Sequence, residues 1–411
     1  MGDRPRGEPN RPSWKRARPN RPWAGHRLQS LRMGLRGPFT ALCALLAIAP
    51  PVVAPAPLSP AALIRREQWH LDYLKIPKAQ GISRGNGVVV AVPDTGVDPH
   101  PDLRNNLLPG TDVIPGGNGD GRRDLDSHGT SMAGLIAAHG QGAGFGALGI
   151  APESKILPIF DSPPNGDGQP DDLAQGIEYA IANGADIISI SSVGGSSSRL
   201  REAIRGALAA DIVIVAGVGN LPRDQIVGYP ASEEGVIAVG GVDRAGQHAA
   251  ISVTGPNIDV VAPAVDIYST SYGGKYSKGT GTSSATAIVA GAAALIRSKY
   301  PYLPAREVAH RLTATAVDKG PPGRDDEYGY GVIDLVAALT ADVPPLGFES
   351  VSAPASAGPT TAAGAQPGNE SDGATARGLA TLGVIVAAGV GWAVMARRRR
   401  RGDDPPPRVS R

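Results

Sequence analysis

Three residues capable of nucleophilic or proton-transfer chemistry sit in distinctive short contexts. They are Asp94 in "AVPDTGVDPHPDL", His128 in "DSHGTSMAGLIAAHG" and Ser283 in "GTGTSSATAIVAGAAALI". The aspartate alone is ambiguous. A carboxylate at the end of an apolar run can activate water, can orient an imidazole, or can close a strand in a turn. Water activation by a carboxylate dyad needs a second D-[ST]-G loop to share the proton, and the sequence has no second copy. A serine is a weak nucleophile at its own pKa and needs an adjacent base. Histidine is the usual base, and a carboxylate can fix its tautomer. Glycines beside His128 and Ser283 allow close backbone approach, and the small residues after each allow a helix to pack near a sheet.

Elements able to position such groups are legible around them. Short β-branched runs recur: "GVVVAVP" (87–93), "KILPIF" (155–160), "DIISIS" (186–191), "DIVIVAG" (211–217) and "GVIAVGG" (235–241). They are apolar on both faces, as buried parallel strands are. Helical patterns alternate with them, at "DDLAQGIEYAIANG" (171–184) and "RLREAIRGALAA" (199–210). This alternation predicts an α/β fold with a mostly parallel sheet and helices on both faces. Aromatics make up only 4% of the chain, so the core must rely on aliphatic side chains and close backbone contact.

The three motifs D-T-G, H-G-T-x-x-A-G and G-T-S-x-A occur in the order Asp, His, Ser. Together they resemble the signatures of the subtilisin-like serine proteases, the subtilases. The resemblance runs from about residue 65 to residue 341 and includes a closing "YGYGVIDLVAAL" (328–339). It implies a subtilisin-like three-layer α/β/α fold and a serine endopeptidase with Asp94, His128 and Ser283 as catalytic residues. Ser283 would attack, His128 would carry the proton, and Asp94 would orient the imidazole. The resemblance further assigns Asn220, at the end of "IVIVAGVGN", as the oxyanion side chain. The helix after Ser283 would supply backbone N–H donors. It implies that substrate binds as an added strand against "SISSVGG" (189–195), with Ser192, Val193 and Gly194 in contact. That stretch is one residue longer than the common family spacing. Pro93 before the aspartate and Ala287 in place of the family's usual proline are further departures.

The remaining sequence predicts location. Residues 1–61 form a basic extension and a signal peptide, whose apolar run "GPFTALCALLAIAPPVVAPAP" is too short and Pro-broken to span a membrane. Translation from Met33 would give an ordinary leader. The peptidase domain is expected over 62–341, and a disordered Pro/Ala/Gly-rich stalk over 342–377. "GLATLGVIVAAGVGWAVMA" (378–396) is an uncharged stretch long enough for one transmembrane helix. Arg397 to Arg401 open a cytoplasmic tail, 397–411, on the positive-inside tendency. The catalytic domain would then be extracellular on a single-pass cell-membrane protein. This arrangement resembles the mycosins, membrane-anchored proteases associated with type VII secretion. The resemblance implies protein or peptide substrates and secretion-complex partners. A generic surface subtilase, or a structural component that stabilises a membrane secretion complex with proteolysis incidental, are the alternatives. The sole cysteine, Cys43, lies in the leader, which excludes disulfides and thiol catalysis in the exported part.

No cofactor is required and no metal ligand set is assigned. The acidic loops "NGDGRRDLD" (118–126) and "NGDGQPDD" (165–172) suggest structural calcium, but neither completes an EF-hand pattern. His100 is expected in a surface turn, and Trp69 to pack the N-terminal arm onto the body. A net charge of +2 gives no reason to expect nucleic-acid binding.

Overall fold

A computed structural model describes residues 59–163 and 168–347. The predicted leader, most of the stalk, the span at 378–396 and the tail lie outside the described residues. No helix among the described residues is long and apolar enough to cross a membrane.

Three short helices open the described chain: α1 (Pro60–Glu67), α2 (Trp69–Tyr73) and α3 (Ile76–Gln80). Then follow β1 (Val89–Asp94), β2 (Thr111–Asp112), α4 (His128–Ala137), β3 (Lys155–Phe160), α5 (Pro170–Ala182), β4 (Ile187–Ile190), α6 (Ser198–Ala209), β5 (Val213–Gly217), β6 (Ile237–Val242) and β7 (Val260–Pro263). The hairpin β8 (Ile267–Ser271) and β9 (Lys275–Gly279) leads into α7 (Thr282–Lys299), α8 (Ala305–Ala314) and α9 (Leu335–Thr340). The main sheet has the order β2-β3-β1-β4-β5-β6-β7, and every pair is parallel. From β1 the chain runs to the edge strand β2, steps back to β3 beside β1, and then crosses to place β4 on the other side of β1. Ligand sites of open parallel sheets form outside the carboxyl ends of the strands at such a reversal.

Alternation along the strands builds two cores. Val90, Val92, Ile187, Val213 and Val215 face α4 and α7. Ala91, Ile188, Ile190, Ile214 and Ala216 face α5 and α6. A period of two places successive side chains on opposite faces, so each strand must be apolar throughout. Helix α7 is buried almost along its whole length. Its Ala/Gly composition lets neighbours approach closely: a Cβ at Gly291 would run into Ile150, in the segment between α4 and β3. Ala287 is fully buried within this uninterrupted helix, so the absent proline leaves the backbone ladder regular.

The strands anticipated from the sequence appear within one or two residues of their runs. Strand β7 and the hairpin β8–β9 were not singled out. "VVAP" is four residues ending in proline, and β9, "KYSKG", lacks a buried face.

Candidate active site

Asp94 closes β1, where Pro93 is paired with Ile159 of β3 and faces Gly176 of α5. The carboxylate is 6% exposed. His128 is the first residue of α4, and its Nδ1–H reaches both Asp94 oxygens at 2.8 and 2.9 Å. Such an approach needs bare backbone beside the histidine: a Cβ at Gly129 would run into the Gly96 carbonyl and crowd Asp94. The Asp94 carboxylate pushes the imidazole up to about 9, against the desolvation that opposes charge, with Asp126 and Asp124 adding to the rise. The Asp94 carboxylate therefore stabilises the imidazolium, the form the ring takes once it has accepted a proton.

A second carboxylate builds the turn that carries His128. Asp124, 1% exposed, accepts from the Asp126 and Ser127 amides at 2.8 and 2.9 Å. Its other oxygen accepts from the Thr130 amide (2.9 Å) and hydroxyl (2.6 Å), so it caps α4 from outside the helix. Thr95 joins the two parts, donating to Asp124 and accepting from the Gly129 amide. Asp124 belongs to one of the loops considered for calcium, and its lone pairs are used by these five groups. The other loop falls partly outside the described residues. Among the described residues no cluster of three or more His, Cys, Asp or Glu could hold a metal ion.

Ser283 is the second residue of α7, at the end where backbone N–H groups lack intrahelical partners. Its hydroxyl donates to the Ser191 carbonyl at 3.0 Å, just past β4, and so is not directed at His128 in this rotamer. Asn220 follows β5, and its Oδ1 accepts from the Thr282 amide at 2.8 Å. That bond occupies the acceptor end of the side-chain amide and leaves Nδ2 as its donor end. Asp224 steadies the residue by accepting from the Asn220 amide at 2.7 Å. Asp94, His128, Ser283 and Asn220 all line one open cleft of about 1080 Å³. Ser192, Val193 and Gly194 line the same cleft.

The Peptidase S8 subtilase family model matches residues 85–331. This chain belongs to the subtilase family. It is similar to subtilisin of Bacillus pumilus, with 41% identity over 278 residues, 66% of this chain and 98% of that protein. It is also similar to the thermostable alkaline protease of Halalkalibacterium halodurans, 40% identical over 64% of this chain and 71% of that protein. Among solved structures, MycP1 with its N-terminal propeptide removed aligns with TM-score 0.62 and 32% identity, over 67% of this chain and 98% of that chain. MycP3 protease from the type VII (ESX-3) secretion system aligns with TM-score 0.57 and 34% identity, over 71% of this chain and 90% of that chain. The protein is thus a subtilisin-like serine endopeptidase with mycosin proteases among its structural neighbours.

Within this subtilase, one residue departs from its expected place. His100 is not in a surface turn; it is fully buried. Its Nδ1 accepts the Asp102 amide and its Nε2–H donates to the Lys275 carbonyl at 2.9 Å. The β8–β9 hairpin, remote in sequence, covers it. Trp69 donates to the Val265 and Asp266 carbonyls, which ties the N-terminal arm to the body.

Two residues of the site escaped the motif reading. Asp124 looked like part of an acidic surface loop. Asp161 lies directly after β3, 2% exposed, and its amide donates to the Asp94 carbonyl. Burial first, then the Asp94 charge, pushes the Asp161 carboxyl up to about 8. A lone aspartate after an apolar strand gives no sequence signal that it will be buried.

Proposed function

We propose that this subtilase hydrolyses peptide bonds through Asp94, His128 and Ser283, with Asn220 as the oxyanion donor. The observation that carries the reading is the two-pronged Asp94–His128 contact in the cleft that also holds Ser283 at the N-terminus of α7. Rotation of the Ser283 hydroxyl away from Ser191 makes its proton available to His128 Nε2. His128 takes the proton as Ser283 Oγ attacks the substrate carbonyl, and Asp94 stabilises the imidazolium that forms. The oxyanion is stabilised by the Ser283 backbone N–H and Asn220 Nδ2. His128 then protonates the leaving amine, and water releases the acyl group by the same path. An extended substrate lies beside Ser192, Val193 and Gly194, with main-chain groups giving affinity.

The resemblance to MycP1 and MycP3 supports a mycosin-like role at a type VII secretion machine. The uncharged stretch 378–396 followed by five arginines supports a single C-terminal anchor with the catalytic domain outside. The test uses the full chain in membranes and a serine-directed fluorophosphonate. Wild type should be labelled and should cleave a peptide library, and Ser283→Ala should do neither. Label retained in Ser283→Ala would overturn the assignment. Extraction of the wild type by alkaline carbonate would overturn the anchor.

A further inference from the structure

Strand β8 meets the first turn of α4 through three successive hydroxyls. Ser269 donates to the Ser131 carbonyl at 2.8 Å, Thr270 to the Thr130 carbonyl at 2.7 Å, and Ser271 to the Ser127 hydroxyl at 2.9 Å. All three donors are buried. The approach is close because α4 has bare backbone there: a Cβ at Gly134 would run into Thr270 Oγ1 and Ser269 Oγ. Two of these bonds end on helix carbonyls. The third ends on a side chain, that of the residue immediately before His128.

Ser127 needs such a bond. Its φ is 98°, in the left-handed region that a residue with a Cβ enters only at a cost. Backbone strain of this kind persists where the surroundings over-determine it. Three contacts do so here. The Ser127 amide donates to Asp124 at 2.9 Å, its carbonyl accepts from the Ser131 amide at 2.9 Å, and its hydroxyl is held by Ser271. The first two act within the turn and its helix. Of the three, only Ser271 comes from a distant segment, 144 residues further along the chain.

The same hairpin bears on the nucleophile. Its base is closed by the Asp266 amide, which donates to the Thr280 hydroxyl at 3.0 Å, and by the Gly281 amide, which donates to the Ala264 carbonyl at 2.9 Å. Ser283 lies just beyond, at the start of α7. The β8–β9 hairpin therefore links the residue before the base to the turn before the nucleophile. We propose that Ser271 is a positioning residue for the reaction: through Ser127 it holds the turn that aims His128 at Ser283. Proton transfer needs the imidazole within hydrogen-bond reach of the hydroxyl. A turn free to leave the left-handed conformation would lose that alignment and leave substrate binding intact. The inference rests on His128 serving as the base for Ser283.

The experiment measures kcat and KM on one peptide for the full chain and for Ser271→Ala, Ser127→Ala, Ser127→Gly and the variant combining Ser271→Ala with Ser127→Ala. Ser271→Ala should lower kcat by about 10- to 100-fold with KM nearly unchanged, the scale of a small misplacement of a reacting group. Ser127→Ala should lose as much. The combined variant should lose no more than either single one, since both remove the same bond. Ser127→Gly also lacks the hydroxyl but enters the left-handed region without strain, so it should lose several-fold less than Ser127→Ala. A merely structural bond would lower Tm and leave kcat of the folded enzyme unchanged. Wild-type kcat in Ser271→Ala overturns the inference, as do losses that multiply in the combined variant or a Ser127→Gly enzyme no faster than Ser127→Ala. If Ser271→Ala does not fold, the two Ser127 variants decide, since neither alters the hairpin. Absence of both cleavage and fluorophosphonate labelling in wild type would instead refute the catalytic reading beneath it.

Discussion

The electrostatic coupling of Asp94 to His128 can be tested by replacing the aspartate with an isostere, Asp94→Asn. The imidazole stands at about 9 against an ordinary 6.5, chiefly because of this carboxylate. At 1.36 kcal/mol per tenfold change in proton affinity, that rise corresponds to roughly 3 kcal/mol. The His128 side chain is 36% exposed, so solvent screens part of it, and about 1–2 kcal/mol is expected to be lost on substitution. The His128 midpoint should therefore fall by about 0.7 to 1.5 pH units, which a proton NMR titration of the imidazole reads directly. Asparagine also fails to fix the Nδ1–H tautomer, so turnover at the pH optimum should drop by roughly 10⁴. The stability consequence has a definite sign. A group with a raised folded-state pKa stabilises the fold fully below 6.5 and loses that contribution as pH rises through about 9. The destabilisation of Asp94→Asn should thus be largest near pH 6 and fade by about pH 10. A His128 midpoint that stays within a few tenths of wild type would refute the reasoning.

Other substitutions separate the parts of the site. Asn220→Ala should lower kcat by about 10² to 10³ with little change in KM, because the donor acts on a charge that exists only during reaction; steady-state kinetics on one peptide decides this. Gly129→Ala should force α4 away from Gly96 and Asp94, costing about 1–3 kcal/mol in denaturant unfolding and most of the activity. Asp161→Asn should stabilise the protein. The buried acid has a raised folded-state pKa, so it weakens the fold progressively as pH rises from 3.8 to about 8. The Tm advantage of the variant should therefore be absent near pH 4, grow with pH and level off above 8. A constant difference would show that the carboxyl ionises as readily in the fold as outside it.

The motifs made the catalytic candidates visible because chemistry restricts residue type. A nucleophile, a base and an orienting acid can be few things, and each needs glycine or other small residues beside it. Strands β1, β3, β4, β5 and β6 were equally visible, since a strand buried on both faces must be apolar at every position. Asp124 and Asp161 could not be found that way. Both are acids near turns, a context usually exposed to water. Burial of Asp124 depends on α4 and the 94–96 turn folding over it; burial of Asp161 depends on its place at the end of β3. His100 failed for the same reason, because the hairpin that covers it lies some 175 residues further on.

The sequence by itself determined the family and the parallel α/β framework and singled out Asp94, His128, Asn220 and Ser283 as candidates, because local pattern and residue type are written along the chain. Tertiary structure decided what surrounds them. It set the two-pronged contact of His128, the amide orientation of Asn220 and the resting partner of Ser283. It also brought Val193 into the cleft that holds the nucleophile. Each of these depends on the distance between segments far apart in sequence, and only the closed sheet with its packed helices fixes those distances.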